Sequence, residues 1–590
     1  MTSSDLDLLG PLPAGRLVID ASAGTGKTYS LSALVVRHVA ERGLSASALL
    51  LVTFTRAAAA ELRDRTRRAL VEALDAMDAG TAPAGFEWME VLLHGAPHEM
   101  AERRQNLSDA VSTFDDATIT TIHGFCQQAL RQLGMSSGAS MDSELSDTTT
   151  ELIEEVCRDL VVQHLHESPD ILDWAAEISP SDVLRDLKDT VRVVTGNPGA
   201  TTVPSVDGPH RDLLHSDPRL DSWVHLVKDA VRIVGERRRA RQEMGYDDLV
   251  TGLHRAVHDE HSGCGAVATL RGRYQLVLVD EFQDTDPLQW ETFATIFDGD
   301  LITVGDPKQA IYRFRGADVQ AYLRATVGQP TVHLGTNFRS DPALVAATNA
   351  LVCGVRLGDE RIVASPVKAP GGAPASALNA GLPLSIRRLP TDARLLGAKG
   401  RLSVPLAKRS VMVDLISVVI DLLRHRTIDT GRGPQPVGPG DIAVLVPSNS
   451  LADEVMNAFS RAHIPAVRAR TGSVLETSAT DHWDLLLAAL ERPSHAPTVR
   501  AAGLGLFFRR TAQQLDPLAV DADQQIAVLQ QQCATWADDL GRRPFLAWCD
   551  QIRTESKLAT ALLATPHGER DLTDLDHVAE LLAGELGGRG

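Results

Sequence analysis

Apolar residues recur along the first 130 positions with two alternating periods. RLVID (16–20), ALLLVTF (48–54) and ATITTI (117–122) are short runs of strand type, whereas 27–42, 56–76 and the stretch from His123 carry apolar residues at helical spacing. This β-α-β-α opening predicts a parallel sheet with helices on its faces, an α/β fold. Two more apolar runs, QLVLVD (275–280) and DLITV (300–304), read as strands of the same sheet. Residues 132–244 turn helical and polar and contain a basic run at Arg237, Arg238, Arg239 and Arg241. They predict a helical insertion, which a surface loop tolerates at little entropic cost.

A second pattern of this type starts at 331. It runs through TVHL, a helix over 341–352, PLSIRRL (383–389), an amphipathic helix near 410–425, DIAVLVP (441–447) and a helix over 449–463. A second sheet domain is expected, with the Pro-, Gly- and Ala-rich 365–382 as a loop inside it. The last 90 residues are helical. The expected division is 1–131 with 245–328 as the first sheet domain, 132–244 as its insertion, 329–500 as the second sheet domain and 501–590 as a second helical insertion.

The chain has 58 Lys and Arg against 77 Asp and Glu, a net charge of −19. That balance excludes a wholly basic, histone-like binder and confines any nucleic-acid contact to a local channel. Cys126, Cys157, Cys264, Cys353, Cys533 and Cys549 form no C-x-x-C pair and no His cluster accompanies them at zinc spacing, so neither a disulfide framework nor structural zinc is expected. MTSSDLDLLGPLPAG has no basic n-region or apolar h-region, and no uncharged run approaches the roughly 18 residues of a spanning helix. A soluble, cytoplasmic protein without a membrane contact is expected.

RLVID leads into Ala21-Ser22-Ala23-Gly24-Thr25-Gly26-Lys27-Thr28 and then a helix, the phosphate-loop arrangement with Ala21 where the general pattern has Gly. Such a turn aims successive backbone N–H groups at phosphates. Lys27 adds a point charge to the β/γ oxygens, and Thr28 offers its hydroxyl to Mg²⁺. Four apolar residues, Leu276 to Val279, end in Asp280-Glu281-Phe282-Gln283-Asp284. Paired acids at a buried strand end need a cation or a proton. In a phosphate-loop enzyme Asp280 would hold Mg²⁺ and Glu281 would orient or deprotonate the attacking water. An acidic helix cap is the plainer alternative, and it fits Asp284 or Asp286, ahead of Pro287, better.

The strand DLITV is followed by GDPKQAIYRFRGAD. Gln309 at that strand end can sense a γ-phosphate, while the alternation Tyr312, Arg313, Phe314, Arg315 can stack on and neutralise a single strand. The same alternation also suits an exposed strand or a salt-bridged turn.

In order and at suitable spacing, ASAGTGKT, VTFTRAAAAELRDRTRR, TITTIHGFC, GYDDLV, VLVDEFQDTDPLQW, VGDPKQAIYRFRGAD and LGTNFRS make the chain resemble the superfamily 1 UvrD-like DNA helicases, and within them the RecB branch. The resemblance implies a P-loop NTPase of two RecA-like parallel-sheet domains with helical insertions. It gives Lys27, Thr28, Asp280 and Glu281 the roles above, makes Gln309 the γ-phosphate sensor, stacks Phe338 on adenine and makes Arg339 an arginine finger on the neighbouring sheet domain. Thr53, Phe54, Thr55 and Arg56 would lie along single-stranded DNA, with Thr121, His123, Tyr312, Phe314 and Arg315 nearby. The Arg-rich helix at Arg63, Arg65, Arg67 and Arg68 would help to make the channel positive, with a solvated face as the alternative, and a structural helix-start role stands as the alternative for His123.

The implied activity is an ATP-dependent 3′ to 5′ helicase or translocase in double-strand-break repair and recombination. It would use ATP and Mg²⁺ and act on single- and double-stranded DNA beside RecC- and RecD-like subunits. Later motifs of the family, a T-x-H-x-x-K-G-L-E type segment and a second arginine finger, are not found in the sequence, nor is the nuclease domain of the RecB branch. The second sheet domain is therefore expected to be incomplete, the chain truncated and nuclease activity lacking. Two alternatives stand beside the helicase: an ATP- and DNA-binding subunit without autonomous unwinding, and an RNA helicase, because stacking and phosphate contacts do not read the sugar.

Overall fold

The computed structural model describes residues 4–134, 144–145, 149–167, 180–196, 218–241, 243–311, 319–372, 376–379, 381–389, 403–429, 431, 433–468, 474–519, 521–565 and 568–587. The chain divides into two units, Met1–Ser403 with Ile420–Val437, and Val404–Val419 with Gly438–Gly590.

The first unit is built on a seven-stranded parallel sheet. Its strands are β1 (Ser4–Asp5), β2 (Arg16–Ala21), β3 (Leu49–Thr53), β4 (Thr118–Thr121), β7 (Leu276–Val279), β8 (Asp300–Gly305) and β9 (Thr331–Leu334), in the order β1-β9-β2-β8-β7-β3-β4. The two remaining strands of that stretch, β5 (Glu144–Leu145) and β6 (Glu243–Met244), pair only with each other. Strands covered on both faces have no polar side to show, which is why LLLVT and LVLV are continuous apolar runs and buried throughout. Ile19 in β2 lies opposite Val304 in β8 and Val332 in β9. The helix α1 (Lys27–Arg42) is buried from Ser30 to Ala40, and its Arg37 donates to the carbonyls of Leu8 and Gly10, fixing the segment ahead of β2.

Because all seven strands run the same way, their carboxyl ends share one edge. Ligands of open α/β sheets bind along that edge. Here it gathers the loops after β2, β3, β4, β7, β8 and β9.

TVHL corrects one expectation. It does not open a second sheet: β9 pairs in parallel with β2 and with β1, so the first sheet extends to Leu334. Periodicity identifies a strand, but only its neighbours identify its sheet. The two apolar runs expected to continue a second sheet, 383–389 and 441–447, form no ladder with any described residue, and Ile386 and Leu445 stand 79% and 96% exposed. Past β9 the paired strands among the described residues are Thr427–Asp429 and Pro434–Pro436, an antiparallel pair.

The described residues of the expected insertion are mainly helical. Thr149–Glu167, Pro180–Thr195 and Pro218–Ala240 close on Val156, Leu187, Leu226 and Ala230. Its basic run is largely neutralised, since Arg237 pairs with Glu155 and Asp159, Arg241 with Glu155, and Arg238 with Asp248. In the second unit, helices including Ser478–Glu491, Ala522–Leu540, Phe545–Glu555 and Gly568–Gly587 pack around Trp483, Trp536 and Trp548. The indole N–H of Trp483 is satisfied by the Leu575 carbonyl and that of Trp548 by the Trp536 carbonyl. No helix among the described residues is long and apolar enough to cross a membrane.

Candidate functional site

Two glycines shape the loop between β2 and α1. Gly24 and Gly26 have φ of 75° and 80°, left-handed backbone that side chains disfavour. A Cβ on Gly24 would lie 2.6 Å from Cβ of Arg339. Thr25 closes the turn by donating its hydroxyl to the Ser22 carbonyl at 2.7 Å. Ala21 needs no glycine, because it is the buried last residue of β2, paired opposite Leu334.

Lys27 Nζ stands 3.1 Å from Glu281 Oε2, so the loop after β2 and the loop after β7 meet through opposite charges. Glu281 holds left-handed backbone at φ 51°. For a residue with a side chain that conformation costs about 1–3 kcal/mol and persists only where its surroundings impose it. Beside it, Asp280 Oδ1 is shut off from solvent with no hydrogen-bond partner among the described residues. Burial, reinforced by the Glu281 charge and opposed by Lys27, pushes the Asp280 carboxyl up to about 6. A buried acid with an unsatisfied oxygen at a phosphate loop fits a divalent cation, which would supply the missing partner. Asp286 caps the helix Pro287–Ile296 by accepting from Gln289 N, as the sequence suggested.

The sensor candidate lies one strand over. Gln309 Nε2 donates to Asp306 Oδ2 at 2.7 Å, and the Asp306 backbone N–H donates to Gln283 Oε1 at 2.9 Å. Gln283 Nε2 in turn donates to Glu281 Oε2 at 2.7 Å. Lys27, Glu281, Gln283, Asp306 and Gln309 thus form one continuous polar chain across three strand ends. Gln283 and Asp306 were not singled out from the sequence, although both sit inside motifs that were.

The segment after β9 lies against the phosphate loop. Phe338 N–H donates to the Gly24 carbonyl at 2.8 Å, and Asn337 Nδ2 donates to the Ala23 carbonyl at 3.1 Å. Asn337 Oδ1 accepts from the backbone N–H groups of Arg339 and Ser340, both at 2.9 Å. Phe338 is 65% exposed, with its ring beside Gly26. Arg339 therefore extends from the first sheet's own last strand, and not from a neighbouring sheet.

A cavity of about 590 Å³ opens next to this edge, lined among others by Phe54, Arg56, Arg63, Thr121, His123, Arg131 and Tyr246. The His123 ring meets the edge of Tyr246 at 5.6 Å between centroids, and Arg56 donates to the Tyr246 hydroxyl. Burial lowers the His123 pKa, which favours the neutral ring. Thr121 caps the helix Ile122–Leu133 by accepting from Gly124 N. Thr53 is fully buried and does not line the cavity, and Thr55 caps α2 (Arg56–Ala79) by accepting from Ala58 N. Tyr312, Phe314 and Arg315 lie outside the described residues. Arg63 was a candidate from the Arg-rich helix, whereas Arg131 was legible only as helical spacing: Arg56, Ala59, Ala60 and Arg63 share one face of α2, and Gly124, Gln127, Gln128 and Arg131 one face of the helix after β4.

The UvrD/REP helicase N-terminal domain matches residues 9–328. The chain is 35% identical over 587 residues to the RecBCD enzyme subunit RecB of Mycobacterium tuberculosis (strain CDC 1551 / Oshkosh), covering 98% of this chain and 51% of that protein. It is 36% identical to the subunit of the same name from Mycolicibacterium smegmatis, with the same two shares, 98% and 51%. With that of Escherichia coli K12 it shares 27% identity over 97% of this chain and 58% of the relative. The chain thus spans about half the length of the curated relatives it matches.

Proposed function

This chain belongs to the UvrD/REP helicase N-terminal domain family, and we propose on that premise that it hydrolyses ATP to move 3′ to 5′ along single-stranded DNA in double-strand-break repair and recombination. The observation that carries the reading is the Lys27–Glu281 pair at the phosphate loop, beside the unsatisfied carboxylate of Asp280. Lys27 and the loop amides would bind the phosphates of ATP, Thr28 and Asp280 would hold Mg²⁺, and Glu281 would take the proton of the attacking water. The cation would neutralise charge developing on the phosphates. Gln309 would sense the γ-phosphate, Phe338 would stack on adenine, and Arg339 would stabilise the transferred phosphoryl.

The strand would run through the cavity lined by Phe54, Arg56, Arg63, His123 and Tyr246, where stacking is worth about 1–3 kcal/mol per base. That is enough to hold a step and small enough to release it. The relatives are named as subunits of a RecBCD enzyme, and this chain would act in the cytoplasm beside RecC- and RecD-like subunits on broken duplex DNA.

A second reading, an ATP- and DNA-binding subunit that does not unwind by itself, is favoured by segments 383–389 and 441–447, which form no strand ladder among the described residues, since a two-sheet ratchet needs a second sheet. Steady-state ATP hydrolysis by the full chain, with and without single-stranded DNA, separates the two. Strong stimulation lost in Glu281→Gln supports the motor. Retained Mg²⁺–ATP binding without turnover supports the second reading, and stronger stimulation by RNA would reassign the substrate.

A further inference from the structure

Asp306 is 2% exposed, and a carboxylate so buried needs compensating charge. Lys308 provides it: Nζ lies 2.6 Å from Asp306 Oδ1, and the Lys308 backbone N–H donates to the same oxygen at 3.1 Å. The other carboxylate oxygen is left for Gln309. Lys308 is also shared. Its ammonium stands 3.8 Å from Asp20 Oδ1, an oxygen shut off from solvent with no hydrogen-bond partner among the described residues. The second oxygen of Asp20 lies 3.1 Å from His333 Nδ1 on β9.

We propose that Asp20, Lys308 and His333 are positioning residues for ATP hydrolysis, which fix Asp306 and through it Gln309, and so join the γ-phosphate sensor to the strand that leads to Arg339. The inference rests on Gln309 being that sensor. Asp20 is the penultimate residue of β2, Lys308 follows β8 and His333 is in β9, so the three side chains link three adjacent strands of the sheet. His333 lies six residues before Arg339 on a strand paired on both sides, so a shift at the sensor loop reaches the finger through one short segment. The charged groups facing His333 are Asp20 from β2, Lys308 from the sensor loop and Asp5 from β1. The hydrogen bond to Asp20, with the charges of Asp20 and Asp5, raises the His333 pKa against the opposing effects of burial and Lys308, which favours the protonated ring.

The test uses the full chain and compares affinity for the ATP analogue AMP-PNP with affinity for ADP, both with Mg²⁺, so that turnover is not required. In Lys308→Gln the preference for AMP-PNP over ADP is expected to fall about fivefold or more, while ADP affinity stays within about twofold. Asp20→Asn and His333→Gln should shift the preference in the same direction by less, and Lys308→Arg should restore most of it. Thermal melting of each variant checks folding. An unchanged preference in Lys308→Gln and Asp20→Asn would overturn the proposal, as would parallel losses of ADP and AMP-PNP affinity. A wild-type chain that binds ADP without preferring AMP-PNP would instead overturn the role of Gln309, and one that binds neither nucleotide would overturn the nucleotide site. Either result would remove the proposal's foundation.

Discussion

Lys27 and Glu281 are 254 residues apart in sequence and 3.1 Å apart in space. The pair connects the residue that would hold the phosphates with the residue that would activate water, so changing each should have a different effect. Lys27→Ala is expected to lose ATP affinity and turnover together. Glu281→Gln should keep nucleotide binding and lose about 10²–10⁴ in kcat, the usual share of a general base. Isothermal titration alongside kcat measurements separates the two, and equal loss of binding in both variants would contradict the assigned roles.

Asp280 sets a pH dependence. Its carboxyl titrates near 6 because burial and Glu281 disfavour the charge, and a metal ligand must be deprotonated. Mg²⁺-dependent nucleotide binding should therefore weaken as pH falls below about 6, with Mg²⁺-independent binding much less affected. The same shift bears on stability. A group whose folded pKa is raised stabilises the fold at low pH and loses that contribution as pH rises through the folded value. At pH 8 without Mg²⁺, Asp280→Asn should accordingly be more stable than the wild type, by roughly 3 kcal/mol. Melting at pH 8 and pH 5 checks this, since the advantage should shrink at the lower pH.

Gly24 should tolerate no side chain. Gly24→Ala would place a Cβ 2.6 Å from Arg339 Cβ on backbone with φ of 75°. The phosphate loop and the Asn337–Ser340 segment would have to part, so nucleotide affinity is expected to drop at least tenfold, about 1.4 kcal/mol, while the sheet still folds. Wild-type affinity in this variant would show that the two segments need not touch.

Much of this site is written locally in the sequence. The strands β2, β3, β7 and β8 are legible because burial on both faces forces continuous apolar runs, and the phosphate loop because its glycines have fixed spacing. β9 is equally legible as a strand, but its place beside β2 depends on pairing that no period encodes. β1, two polar residues at the sheet edge, carries no apolar signal at all. PLSIRRL and DIAVLVP have strand composition yet form no ladder among the described residues, since a strand forms only against a neighbour. The links from Gln283 to Asp306 and from Lys308 to Asp20 join the carboxyl ends of different strands, so they emerge only when the sheet brings those ends together.

The cavity makes a prediction by salt. Arg63 and Arg131 line it from facing helices, and if each neutralises one phosphate, Arg63→Ala and Arg131→Ala should each lower DNA affinity and reduce the slope of log affinity against log salt by about 1. Tyr246→Ala should weaken binding by about 1–3 kcal/mol with little change in that slope, because stacking releases no counterions. Fluorescence anisotropy with a labelled oligonucleotide at several salt concentrations distinguishes the two patterns.

The central claim is that nucleotide and single strand occupy neighbouring parts of one sheet edge and act on each other. The most direct test is the ATP turnover of the full chain as a function of single-stranded DNA concentration, measured for the wild type and for Tyr246→Ala. The account predicts saturable stimulation in the wild type, with the half-maximal DNA concentration raised about fivefold or more in Tyr246→Ala. A chain that hydrolyses ATP at one rate whatever the DNA concentration would contradict it.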